Sequence, residues 1–109
     1  MSPPSETERR ECFEWMRTRP KRVQEMMVRF PPGCIVKATR PLVCPAPGTT
    51  GQVAVYCERK DGSISLKVLG DDALLGGKTL AECDPEWLQV VEYLYLSPAD
   101  VRAAIEAPQ

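Results

Sequence analysis

GQVAVYCERKDGSISLKV, residues 51–68, reads as two β-strands joined at Asp61-Gly62. Val53, Val55 and Cys57 alternate with Gln52, Ala54, Tyr56 and Glu58, and Ile64, Leu66 and Val68 alternate with Ser63, Ser65 and Lys67. A period of two places each apolar set on one face of a strand. Asp-Gly between alternating runs predicts a tight hairpin, because both residues tolerate positive φ. Gly51, just before the first strand, can take a backbone conformation closed to other residues. A lone hairpin is unstable in water, so the remaining chain must cover its apolar face.

The flanking sequence supplies the cover. Ser5-Glu6-Thr7-Glu8 has the form of a capping box and predicts a helix to about Arg17, with Cys12, Phe13, Trp15 and Met16 as its apolar stripe. Glu6 with Arg10, and Arg10 with Glu14, are i,i+4 pairs on its polar side. After Thr18-Arg19, Pro20 sits at the first turn of a second helix, whose Val23, Met26, Met27 and Phe30 follow helical spacing. Pro31-Pro32-Gly33 stops it. GCIVKAT (33–39) predicts a strand, and RPLVCPAPGTT (40–50) a proline-stiffened loop. GDDALLGGK after Val68 is a second loop, Thr79 to Cys83 a fourth strand, Asp84 to Trp87 a 3₁₀ turn and Leu88 to Tyr93 a fifth strand. Ser97, Pro98 and Asp100 predict the capped start of a short helix with Val101, Ala104 and Ile105 on its apolar edge.

The 109 residues are enough for one domain: a helical extension (1–30), a five-stranded unit (31–95) and a C-terminal helix (97–107). Eleven prolines, among them Pro3-Pro4, fit short elements separated by stiff turns. A net charge of −1 gives no global attraction to nucleic acid or anionic lipid. Residues 1–40 carry nine Lys/Arg against five Asp/Glu, and residues 41–109 carry five against ten, a polarity that intermixes if the halves fold together. No apolar run approaches the roughly 18 residues of a membrane span, and the start lacks a signal-peptide core. Five irregularly spaced cysteines without a secretory signal fit a reducing, cytoplasmic setting.

Gly33-x-x-Val36, followed by Gly48-Thr49-Thr50-Gly51-Gln52-Val53, resembles the KOW type of the SH3-like β-barrel over residues 31–93. The resemblance implies an α+β fold, with a small five-stranded antiparallel barrel, an N-terminal helix pair and a short C-terminal helix. For the KOW type it implies a ribosomal or transcriptional role; other SH3-like barrels serve as accessory subunits of redox, photosynthetic and metalloenzyme assemblies. The PLVCPAP connection is longer than a KOW motif normally has and carries no basic residue.

Several chemistries are excluded or weak. The absence of histidine removes imidazole-based triads and zinc sites. The cysteines lack metal-site spacing, so no metal or cofactor is expected. Cys34 and Cys57 fall at strand positions as small core residues, and Cys44, in a loop, is the one thiol to test for reactivity, with an inert loop thiol the favoured reading. Gly77-Lys78-Thr79 fails as a phosphate loop, because Asp72 stands where a glycine is needed and a strand follows. Asp71-Asp72 and Asp84-x-Glu86 read as solvated loop acids. What remains is a basic cluster, Arg17, Arg19, Lys21 and Arg22, with Arg29, Lys37 and Arg40 as candidate neighbours. Such a cluster suits an acidic protein surface or nucleic-acid phosphates; a solvated helix junction paired with Glu14 and Glu25 also accounts for it. Tyr56, with Tyr93 and Tyr95, is a candidate stacking surface, although such tyrosines are more often half-buried rim residues. The expectation is a non-enzymatic accessory module that binds a protein partner, with RNA or DNA binding as the alternative.

Overall fold

Residues 5–106 are described by the computed structural model; Pro3-Pro4 and the last residue of the expected terminal helix, 107, lie outside them. The chain runs α1 (Glu6–Arg17), α2 (Lys21–Arg29), β1 (Ile35–Ala38), β2 (Thr50–Glu58), β3 (Ile64–Asp71), β4 (Lys78–Cys83), a 3₁₀ turn (Pro85–Trp87), β5 (Leu88–Glu92) and α3 (Pro98–Glu106). Local chemistry explains the ends. The Ser5 hydroxyl accepts from the Glu8 amide at 3.1 Å. At α3 the capping box is reciprocal: the Asp100 amide donates to the Ser97 hydroxyl at 3.2 Å, and the Ser97 amide to the Asp100 carboxylate at 2.9 Å. Pro20 is the residue flanking α2, one place earlier than expected, and its carbonyl accepts the Gln24 amide.

The strands form one antiparallel sheet in the order β4-β3-β2-β1-β5, with β4 and β5 as its edges. The sheet is open: the described ladders do not join β4 to β5, so the expected closure into a barrel is not among them.

The central hairpin differs from its sequence reading in two ways. First, β2 contains a bulge: Val53 pairs with Val68 but Val55 pairs with Lys67, leaving Ala54 as the extra residue. Beyond the bulge the faces exchange. Val53 points into the core, whereas Val55 is exposed and Cys57, expected in the core, is half-buried opposite Ser65. Tyr56 instead pairs with Leu66 on the core side. A strict period of two cannot survive an added residue. Second, the connection spans Arg59 to Ser63. The Gly62 amide returns to the Arg59 carbonyl at 2.9 Å, and the Arg59 amide reaches the Ser63 carbonyl at 2.8 Å. Only Gly62, at φ 86°, is left-handed; Asp61 keeps negative φ and accepts from the Ser63 amide and hydroxyl. This is a longer turn closed by a glycine bulge rather than a two-residue one.

Gly51 needs space rather than an unusual dihedral. It faces Gly70 across the ladder, and a Cβ on it would lie 2.5 Å from Val68 Cγ1. A Cβ on Gly70 would meet Pro45 at 3.0 Å, so the missing side chain lets the β1–β2 loop lie against the sheet.

Two apolar clusters result. Phe30, Cys34, Val36, Val53, Leu66, Val68, Cys83 and Leu88 fill the space beneath the sheet. Met16, Val23, Met27, Ile64, Leu96, Val101 and Ala104 join the helices to the hairpin. Met26 and Tyr56 touch both, so helices and sheet share one continuous interior. Gln24 ties α2 to α1, its amide donating to the Met16 and Arg17 carbonyls at 2.9 and 3.2 Å. These are end carbonyls of α1 that no intrahelical amide can reach. No described helix is long and apolar enough to cross a membrane.

Candidate functional site

The basic residues do not form one stripe. Arg22 and Arg29 project from α2 into a cleft of about 480 Å³ at the hairpin tip, which Glu25, Asp61 and Ser63 also line. There the Arg22 Nη1 donates to the Gly62 carbonyl at 2.9 Å. The hydrogen bonds from Ser63 hold the Asp61 carboxyl below the usual carboxylate range. The cleft thus carries two cations and two acids, which suits a mixed-charge protein surface better than a phosphate backbone.

The remaining cations are dispersed, and Arg29 of the cleft also rests on a ring. Arg17 Nε donates to the Ala104 carbonyl at 2.7 Å, fastening α1 to the last turn of α3. Arg19 lies over the Trp15 ring at 5.3 Å, Arg29 over Phe30 at 5.5 Å and Arg40 over Trp87 at 5.3 Å. Lys21 lines a groove between α2 and α3 with Glu25, Arg102 and Glu106. Lys37 is exposed on β1 between Thr50 of β2 and Gln89 of β5. Tyr56 is largely enclosed, with its ring 6.5 Å from that of Trp15 and its hydroxyl donating to the Phe30 carbonyl. Tyr93 is exposed and Tyr95 half-buried.

All five cysteines are free thiols. Cys44 is buried although it lies in a loop: its Sγ is 3.2 Å from the Thr79 carbonyl, and burial pushes its pKa up. Burial raises Cys34 to about 12 and Cys83 to about 11. A protonated, enclosed thiol is a poor nucleophile. Among the described residues no group of three or more Cys, Asp or Glu is placed to hold a metal ion.

The most distinctive surface is one that residue-type reasoning passed over. Leu74 and Leu75, in the loop between β3 and β4, are 81% and 78% exposed. They are also held in place. Asp72, read from sequence as a solvated acid, is buried, and its carboxylate accepts the Leu74 and Leu75 amides at 2.8 and 3.0 Å. The Asp72 amide donates to the Gly77 carbonyl at 2.7 Å, and the Ala73 amide to the Val43 carbonyl at 2.9 Å. Nearby Val43 is exposed, as are Leu69 and Leu80, paired on the outer face of the sheet. Two adjacent leucines in an acidic, glycine-flanked loop were the available signal.

Comparison with family models, curated proteins and solved structures gives no match for this chain.

Proposed function

We propose that this chain is a non-enzymatic accessory module that binds a protein partner, with Leu74-Leu75 as the contact centre. The observation that carries this reading is a pair of leucines about four-fifths exposed on a loop pinned by a buried carboxylate. Exposed apolar side chains on a preorganised loop lose little freedom on docking, so more of the burial free energy reaches the complex. The Arg22–Arg29 cleft, with its matching acids, supports a polar second contact. Strand order and the 3₁₀ turn before β5 support an SH3-like reading of the sheet. Five free thiols support a reducing compartment as its setting.

The test is affinity capture from native lysate with wild type and with Leu74→Ser/Leu75→Ser. A stoichiometric protein retained by wild type and lost from the variant is expected. Equal capture by both removes the loop from the interface, and capture of nothing by wild type removes the reading. Nucleic-acid binding ranks second, on the convergence of Arg22 and Arg29. It requires oligonucleotide affinity that falls steeply with salt and weakens in Arg22→Ala/Arg29→Ala.

A further inference from the structure

β4 is an edge of the sheet, so one side of its backbone faces no strand. Which residues turn that way follows from the ladder. Asp72 N–H bonds the Gly77 carbonyl, which makes 72 and 77 a hydrogen-bonded pair. The register continues from Asp71↔Lys78 to Leu66↔Cys83, and hydrogen-bonded pairs alternate along an antiparallel ladder. Thr79, Ala81 and Cys83 therefore face β3 with both backbone groups, and Lys78, Leu80 and Glu82 turn theirs outward. Among the described residues no backbone bond outside the sheet uses those outward groups.

The side chains of the same three residues lie on the outer face. Leu80 is paired with exposed Leu69, Lys78 with Asp71 and Glu82 with Lys67. Glu82 is held in position by the Ser65 hydroxyl, and Arg59 Nε stands 3.6 Å from it. Its carboxylate keeps acceptor capacity beyond these two contacts. The sequence Lys78-Thr79-Leu80-Ala81-Glu82 thus places a cation two residues before Leu80 and an anion two residues after it. That pattern is complementary to its own reverse.

We propose that β4 pairs antiparallel with β4 of a second copy of this chain, about a two-fold axis at Leu80. In this register Leu80 faces its own copy, and each Lys78 faces the other chain's Glu82. All three outward residues become hydrogen-bonded pairs. Leu69 and Leu80 of both copies then form an unbroken apolar row across the joined sheet. Other registers lose the match: two-fold centres one residue away set Leu80 against Lys78 or Glu82, and a parallel pairing sets lysine against lysine. An exposed edge strand is a template for such addition, and the opposed charges select the partner. The pairing is independent of the protein contact at Leu74-Leu75.

Sedimentation velocity across a concentration series tests it. An interface of this length falls below the standard size, so a dimer in roughly the micromolar range is expected for wild type. Lys78→Glu and Glu82→Lys each set like charges opposite one another in the homodimer, and each is expected to weaken it about tenfold or more. An equimolar mixture of the two variants restores both attractions and is expected to form a heterodimer. Leu80→Lys, at an exposed position, is expected to be monomeric while keeping the wild-type circular dichroism, which covers the case in which Glu82→Lys fails to fold. A wild type monomeric at about 200 μM, well above that range, overturns the proposal. So does a dimer indifferent to Lys78→Glu and Leu80→Lys, or a mixture of folded variants that stays monomeric. A monomeric wild type leaves the loop contact standing, and failed capture through Leu74-Leu75 leaves this pairing standing.

Discussion

The Tyr56 hydroxyl donates to the carbonyl of Phe30, the residue that closes α2. One side chain from the middle of the sheet therefore satisfies a helix-end carbonyl and fixes where the helix layer sits on β2. Tyr56→Phe leaves that carbonyl without this partner in a largely enclosed place. The expected cost is about 1–3 kcal/mol, read as a lower urea midpoint with an unchanged m-value.

Asp72 pins the proposed contact loop without belonging to its apolar surface. Asp72→Ala removes the acceptor of two amides and is expected to cost about 1–3 kcal/mol. It should also reduce partner capture, because the leucines lose their fixed presentation. Leu74→Ser/Leu75→Ser should abolish capture while leaving the melting temperature within a degree or two, since both side chains are already in water. Thermal melts run beside capture separate the two effects.

At the hairpin tip, Gly62 combines positive φ with the Arg22 guanidinium, whose Nη1 would lie 1.9 Å from an added Cβ. Gly62→Ala is expected to destabilise by about 1–2 kcal/mol, combining left-handed strain with displacement of Arg22. Arg22→Ala alone, at an exposed site, should cost less than about 1 kcal/mol. In the double variant the two costs should not add, because displacing Arg22 is part of the first; a double-mutant denaturation cycle measures the difference.

Stability should fall at alkaline pH. Cys34, Cys83 and Tyr56 all have raised folded-state pKa values, chiefly from burial. A raised value means the unfolded chain loses its proton first. The stabilisation is complete below the ordinary thiol value of about 8.5 and declines as pH rises toward the folded values of about 11 and 12. On the acid side the sign reverses. Asp61, Glu82 and Asp100 are lowered, chiefly by hydrogen bonds from Ser63, Ser65 and Ser97, so their contribution is lost as pH falls through the carboxylate range. Urea unfolding under reducing conditions at pH 4, 7 and 10 should therefore show the highest midpoint at 7.

Thiol accessibility gives an independent check on the β2 bulge. Ellman's reagent should modify half-buried Cys12 and Cys57 in the native protein, while Cys34, Cys44 and Cys83 react only on unfolding. A slow Cys57 would mean that the strand keeps strict alternation and that Ala54 is not the extra residue.

Much of this protein could be read from local sequence. Capping by Ser5 and Ser97, the helical spacing of Val23 and Met27, the stop at Pro31-Pro32 and the glycine in the hairpin all act within a few residues. Their physics is present in the chain before it folds. Non-local effects decided the rest. The bulge at Ala54 adjusts β2 to its neighbours, and it turned Tyr56 from a candidate surface ring into a bridge between the two clusters. The order of the strands decided that loop residue Cys44 is buried and that loop residues Leu74 and Leu75 are not. The basic residues were legible as a group, but their division among a cleft, a helix junction and several aromatic rings was not. Charge attracts at a distance and leaves location open, whereas steric packing of an interior assigns each side chain to one side of a strand.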